Sequence, residues 1–228
     1  MPYLTTLAEL RPLVRSLAAV QRLKFFTDDD LNPWLVSGWG RLYDIFVESG
    51  NPYFEREKDV TLRSGEAIAI PADLQVLRRV DALDGQGVGE LPDLDVHDLA
   101  PTPESSPAGG ACGYRFRAQE LQLPGASLGQ AFRVTYVPRL VEPRDATGAY
   151  LDTSPMDCVT IKGRDYVVLL AGVRCLQKQR EDSAGLAAEG LALRREIEVS
   201  SMRRTVGRLR RVAEIVSFDP YPFTRRGR

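Results

Sequence analysis

One histidine, His97, and three cysteines, Cys112, Cys158 and Cys175, are the side chains of this 228-residue chain best suited to nucleophilic, acid–base or soft-metal chemistry. His97 has no companion histidine, so neither a zinc site nor a paired general base can be assembled around it; it reads as an exposed loop histidine. No two cysteines form a C-x-x-C pair, which leaves no zinc knuckle and no complete disulfide framework and fits a reducing cytosol. Cys175 falls beside the apolar face of a helical pattern and is expected to pack, not to react. Ser105, Ser106, Ser200 and Ser201 lack a nucleophile elbow, and a hydrolytic triad would have to draw on His97. Asp28, Asp29 and Asp30 lack the alternating ligands, glycine and distant glutamate of a calcium loop. Behind Thr27 they read as a cap and three carboxylates at the positive end of a helix. Gly85-Gln-Gly-Val-Gly89 is followed by no Lys-Ser or Lys-Thr and by no helical pattern, so it reads as a turn and not as a phosphate cradle. The expectation is a protein without catalytic residues, metal or cofactor.

The charge distribution is the stronger signal. Thirty basic and thirty-one acidic residues leave a net charge of −1, which argues against a surface built throughout for nucleic acid. Locally the balance breaks. Between Asp81 and Gly113 there are seven acidic residues and no Lys or Arg, whereas Met202 to Arg228 holds eight arginines against Glu214 and Asp219, a balance of +6. Opposite poles on a near-neutral chain point to head-to-tail docking or to a polar partner surface. Phe218, Tyr221 and Phe223 are interleaved with the last arginines, and aromatic side chains and arginine are favoured interface anchors.

The elements that must position these residues follow from the hydrophobic period, which changes twice. From Thr6, Leu7, Leu10, Val14 and Leu17 trace one helical face; a second helix buries Leu31, Leu35, Leu42, Ile45 and Phe46 and stops at Gly50-Asn-Pro52. Pro33 must kink that helix or mark its start with Asn32 as cap. From Tyr53 to Val141 the period is two, in short antiparallel strands at 60–62, 67–70, 76–83, 114–119, 121–123 and 132–137. Prolines, paired glycines and acidic residues make 81–113 an extended acidic loop. A third helix begins near Gly163, with Tyr166, Leu169, Leu170, Val173 and Leu176. A fourth runs from Ser183 to about Val212 with Leu186, Leu193, Ile197, Val206 and Leu209 inward, and Gly185, Gly190 and Gly207 could break it. Two prolines make 217–228 an extended arm.

The fold expected is therefore α+β. A helical bundle body of four main helices (1–52 and 160–216) carries an inserted small antiparallel β domain (53–159, with the acidic loop 81–113) and an extended C-terminal arm (217–228). The first twenty residues contain Glu9 and no uninterrupted apolar core, and no stretch reaches the ~20 apolar residues of a membrane span, so a soluble chain in the cytoplasm is expected.

The order of segments resembles the head-to-tail connector adaptor, or head completion, proteins of tailed bacteriophages and gene transfer agents. The resemblance is carried by Thr6-Leu-Ala-Glu-Leu-Arg11, by Phe26-Thr-Asp-Asp-Asp-Leu-Asn32 with Trp34 and Leu42-Tyr-Asp-Ile-Phe46, and by Ile70-Pro-Ala-Asp-Leu74 with Arg78 to Leu83. Tyr114 to Leu123, Phe132-Arg-Val-Thr-Tyr-Val-Pro138, Asp165 to Leu176 and a long closing helix complete it. It spans nearly the whole chain and departs from the pattern at Pro33 and in the long acidic loop. It implies a structural neck protein of the virion, assembled in the host cytoplasm and catalytically inert. Its copies would form a ring, typically of twelve, on the portal protein after packaging, extending the channel for double-stranded DNA and presenting a surface to tail or nozzle proteins. The arm would dock on the portal, with Phe218, Tyr221 and Phe223 anchoring and Arg225, Arg226 and Arg228 pairing with portal carboxylates. Arg203, Arg204, Arg208, Arg210 and Arg211 would supply charge toward the channel or a partner. Two other classes stay open: a nucleic-acid-binding module using those five arginines, and a small cell-envelope hydrolase with a carboxylate pair.

Overall fold

The computed structural model describes residues 3–17, 26–63, 67–84, 87–91, 93, 113–117 and 120–215, with the backbone alone for 84, 87–89, 117 and 203–215. In chain order the elements are β1 (Leu4–Thr5), α1 (Leu7–Leu17), α2 (Asp28–Glu48), β2 (Arg56–Thr61), β3 (Ala67–Ala69), β4 (Leu74–Asp84), β5 (Gly87–Glu90), β6 (Arg115–Arg117), β7 (Glu120–Gln122), β8 (Ala131–Pro138), β9 (Met156–Asp157), α3 (Ile161–Gln179) and α4 (Ala184–Ile215). The protein is α+β, with four helices and small antiparallel sheets. Its contacts divide it into a helical unit, Met1–Pro52 with Leu140–Arg228, and a β unit, Tyr53–Arg139.

In the helical unit, side-chain caps set where three helices begin. Thr6 and Glu9 cap α1 reciprocally, Glu9 N–H donating to Thr6 Oγ1 (3.3 Å) and Thr6 N–H to Glu9 Oε2 (3.1 Å). Thr27 and Asp30 form the same box at α2, and Thr160 Oγ1 accepts from Gly163 N–H (3.1 Å) at α3. Thr27, not Asn32, therefore starts α2. Pro33 lies inside the helix and deprives the Asp29 carbonyl of its helical donor where both residues are exposed to water. Asn32 is buried instead, and its Oδ1 accepts from Arg11 Nε (2.9 Å).

Leu7, Leu10 and Val14 of α1, Leu31, Leu35 and Leu42 of α2, and Val167 and Cys175 of α3 are fully buried, each large aliphatic side chain contributing about 1.5–3 kcal/mol. Glycine permits the close approaches. A Cβ on Gly163 would stand 2.1 Å from the Cys158 carbonyl oxygen, and one on Gly38 would stand 3.2 Å from that of Val167. The three glycines of α4 do not interrupt it.

Residues 140–159, expected in the β insertion, belong to the helical unit. The reason is local pairing: β9 runs antiparallel to β1, Cys158 N–H donates to the Tyr3 carbonyl (3.0 Å) and Trp39 Nε1–H to that of Asp157 (2.9 Å). The turn before β9 is held by its own side chains. Asp145 Oδ1 accepts from the N–H groups of Thr147 (2.8 Å) and Ala149 (2.9 Å), while the Arg144 guanidinium lies 4.0 Å over the Tyr150 ring.

The β unit contains a four-stranded antiparallel sheet in the order β2-β8-β4-β5 and a three-stranded one in the order β3-β7-β6. Their inward residues, among them Leu62, Ile68, Val80, Leu121, Leu123, Phe132 and Val134, make one apolar core. The edge strand β2 is charged at Arg56, Glu57, Lys58 and Asp59, which discourages pairing with a further strand. Asp81 and Asp84, expected in the acidic loop, lie instead in β4, which pairs antiparallel with β5 so that Asp81 stands opposite Glu90. Two carboxylates facing each other are tolerated since Arg79 Nε donates to buried Asp81 (3.0 Å). Asp93 bridges to Tyr114; residues 94–112, with His97 and Cys112, lie outside the described residues, as does the arm 217–228.

Candidate functional site

Among the described residues, Cys158, Cys175, Asp28 and Asp30 are engaged in structure. Cys158 and Cys175 are buried, and burial, aided by the nearby charges of Asp157 and Asp30 respectively, pushes their thiols up to about 12 and about 11, so both stay protonated and poorly nucleophilic at neutral pH. Asp28 and Asp30, at the head of α2, are committed to ion pairs and capping. Arg11 Nη1 reaches Asp28 Oδ2 (3.2 Å), Arg15 Nη2 meets Asp28 Oδ1 (2.5 Å) and Lys178 Nζ meets Asp30 Oδ1 (3.0 Å). Hydrogen bonds from Lys178 and Thr27 hold Asp30 below the usual carboxylate range. Among the described residues no three His, Cys, Asp or Glu side chains converge to hold a metal ion. No helix among them is long and apolar enough to cross a membrane.

The feature with capacity for binding is α4. Its 32 residues span about 48 Å, against about 28 Å for the 19 residues of α3, the helix it packs on. At about 100° per residue, positions 186, 190, 193, 197 and 201 share one face. Gly190, Ile197 and Ser201 are buried there and Leu186 and Leu193 half-buried. The same face continues through positions 204, 208 and 211, all arginine. A stripe that begins apolar and packed thus turns cationic at its far end, where it cannot extend an apolar core.

The opposite face is uncovered: Leu191, Val199 and Met202 are 51%, 49% and 54% exposed, with exposed Arg195 among them. Val206 and Leu209, expected inward, fall by helical period on this second face. The five-residue inward set had joined two different faces, because the steps from Ile197 to Val206 and Leu209 are nine and twelve residues, out of phase with 3.6.

Near the buried stripe a cavity of about 360 Å³ is lined by Phe46, Asn51, Thr160, Ile161, Lys162, Ile197, Ser200 and Ser201. Lys162 Nζ at its mouth pairs with Glu196 (2.6 Å), and Ser200 Oγ donates to the Ile197 carbonyl (2.8 Å).

Of the residues singled out by sequence, Arg203, Arg204, Arg208, Arg210 and Arg211 lie on the helical backbone of α4, and Phe218, Tyr221, Phe223, Arg225, Arg226 and Arg228 lie outside the described residues. The exposed apolar stripe was missed. Its signal is present in the sequence as Leu191, Val199 and Met202 at spacings of eight and three, which the inward set does not include. Neither a protein-family model nor a curated protein matches this chain.

Proposed function

We propose that the protein is a structural adaptor of the head-to-tail connector type: a chain whose copies form a ring on a portal vertex, extend the DNA channel and present a surface to the tail. The observation that carries the reading is α4. A helix longer than its packing partner by thirteen residues, with one face exposing Leu191, Val199 and Met202 around Arg195 and the other passing from core to arginine in sequence, is equipped for two contacts at once. The apolar stripe suits a neighbouring protein surface, and the arginines suit carboxylates or phosphates. The adjoining stretch with Phe218, Tyr221, Phe223, Arg225, Arg226 and Arg228 continues the same combination in sequence and is assigned to portal docking. Packed thiols and ion-paired aspartates agree with a role in assembly rather than turnover.

Mixing the purified chain with portal rings and imaging the product tests the reading. A second ring on the portal is expected, made by a chain that is mainly monomeric alone at micromolar concentration. Deleting 217–228 should abolish or severely weaken attachment while the rest keeps its fold. Independent migration of chain and portal would overturn the assignment.

The arginines of α4 also favour a second reading, a nucleic-acid-binding module. Binding to free duplex that weakens steeply with salt, and that falls when Arg204, Arg208 and Arg211 become glutamine, would decide for it.

A further inference from the structure

We propose that the cleft between α2 and α3 receives residues 94–104 of a second copy of this chain. The cleft is lined from α2 by Trp34, Ser37, Gly38 and Arg41, and from α3 by Leu170, Val173, Arg174 and Gln177. Both sets follow the i, i+3, i+4, i+7 spacing of a single helical face. Gly38 makes the cleft: without a side chain it lets α3 approach until the Val167 carbonyl lies 3.2 Å from where a Cβ would stand. Half-buried Trp34, Leu170 and Val173 supply an apolar floor. Lys178 lies 5.3 Å over the Trp34 ring and is already paired with Asp30.

The two remaining cations differ from Arg11, Arg15, Arg164 and Arg194, each of which is ion-paired. Arg41 and Arg174 are exposed on the rim, and neither makes an ion pair with a described residue. Arg41 also borders the adjacent pocket with Asp44, Glu48 and Arg194, yet forms no ion pair with either carboxylate. Two unneutralised guanidinium groups beside an apolar floor select a segment with carboxylates set among apolar residues and no cation of its own.

The chain contains such a segment. Leu94-Asp-Val-His-Asp-Leu-Ala-Pro-Thr-Pro-Glu104 carries Asp95, Asp98 and Glu104 against no Lys or Arg, with Leu94, Val96 and Leu99 between them. The other candidate from the chain itself, the stretch from Met202 to Arg228, has a balance of +6 and is repelled by the same rim. The contact deepens the ring reading and rests on it, since a chain working as a monomer would present no second copy to receive.

The test uses a fluorescent peptide of residues 92–106 and, as acceptor, the full chain carrying Asp95→Asn, Asp98→Asn and Glu104→Gln, so that its own segment does not compete. Saturable binding is expected, weakened at least tenfold by Arg41→Glu with Arg174→Glu and restored by a peptide with Asp95→Lys and Asp98→Lys. Circular dichroism confirms that the acceptor is folded; if the double variant is not, Arg41→Gln and Arg174→Gln singly, both at exposed positions, replace it. Equal affinity for the unreversed and reversed acceptors, or for a scrambled peptide, would overturn the proposal, as would binding of a duplex oligonucleotide in place of the peptide. Sedimentation of the wild-type chain, carried from the micromolar range, where it is mainly monomeric, upward toward millimolar concentration, separates the copies. Mass that rises with concentration, and ceases to rise with the rim reversed, supports the second copy; peptide binding with concentration-independent mass places the segment in its own cleft and overturns it. The assay contains no portal, so its failure is distinguishable from failure of the ring assignment.

Discussion

Arg11 in the helical unit and Arg133 in the β unit each grip a carboxylate with two arms of the guanidinium, yet only Arg11 is enclosed by the fold. Arg11 is 7% exposed and reaches three residues: Nε to Asn32, Nη1 to Asp28, and Nη1 and Nη2 to Asp152. Hydrogen bonding to Asp152 raises its pKa further. Arg133 is 35% exposed and binds Asp59 across the β2–β8 pair at 2.8 and 3.0 Å, in water. Similar bonds therefore carry different weight. In the helical unit a buried polar node ties α1, α2 and the segment before β9 together, whereas in the β unit the Arg133–Asp59 pair is laid on the surface of a sheet held by its apolar core.

Emptying the β core should produce the largest effect. Phe132 is completely buried among Leu62, Val80, Leu121 and Val134, and Phe132→Ala is expected to cost about 3–5 kcal/mol. Urea unfolding followed by amide exchange should show protection lost first in β4 and β8. Loss spread evenly over α1 to α3 as well would mean that the two units do not hold their stability separately.

Arg11→Ala comes next, at about 2–3 kcal/mol, with exchange rising at α1 and the head of α2. Most of the cost comes from leaving Asn32 Oδ1 buried without its donor, since Asp28 keeps Arg15 and Asp152 is half exposed. Arg11→Lys should recover only part, because one ammonium cannot reproduce the planar fork.

The helical elements were legible because their beginnings are written in single side chains. Thr6, Thr27 and Thr160 cap whatever the rest of the molecule does, and the spacing of Leu7, Leu10 and Val14 is itself the buried face. What the sequence hid depends on partners far along the chain. Nothing around Met156 announces a two-residue strand, because β9 exists only through β1, and Asn32 looks like a cap until Arg11, twenty-one residues away, claims it. The cleft of Arg41 and Arg174 needs two helices laid side by side before either arginine has a neighbour. The arginines of α4 were readable as charge, and their shared face with Ile197 only as geometry.

Acid should expose the node before it disturbs the β core. The bond from Arg11 holds Asp152 below the usual carboxylate range. A carboxylate with a depressed folded pKa contributes fully above its unfolded value of about 3.9 and loses that contribution as pH falls through the folded value. The same direction applies to Asp30, held down chiefly by Lys178, and to Asp145, held down chiefly by Thr147. Stability measured from pH 6 downward should therefore stay level until about pH 4 and then fall, with Asp152→Asn starting lower and falling less. A wild-type decline beginning well above pH 5 would assign the acid response to other groups.

A smaller, opposite change is expected at the end of α3. Arg180 closes that helix in the left-handed region at φ 59°, with Glu181 N–H donating to the Leu176 carbonyl (3.0 Å). Glycine adopts this conformation without the Cβ penalty, so Arg180→Gly should stabilise by about 0.5 kcal/mol, read as a small rise in the thermal midpoint.

The comparison is sharpest where the effect should vanish. Arg133→Ala removes two hydrogen bonds of good length, more than many buried substitutions do, yet water reaches Arg133, Asp59 and Glu57 alike and can solvate each group left behind. The ordering of two long side chains is released at the same time, which offsets part of the lost attraction. The change in stability should be smaller than that of Arg180→Gly, and what remains should disappear on raising salt, because the screening length shortens to about 3 Å at 1 M. The Arg11→Ala loss, by contrast, should persist at that salt concentration, since its main cause is a buried oxygen without a donor. Parallel urea titrations of both variants at low and high salt read the difference directly. If Arg133→Ala proves as costly as Arg11→Ala, or if salt removes both losses, burial is not what separates the two arginines.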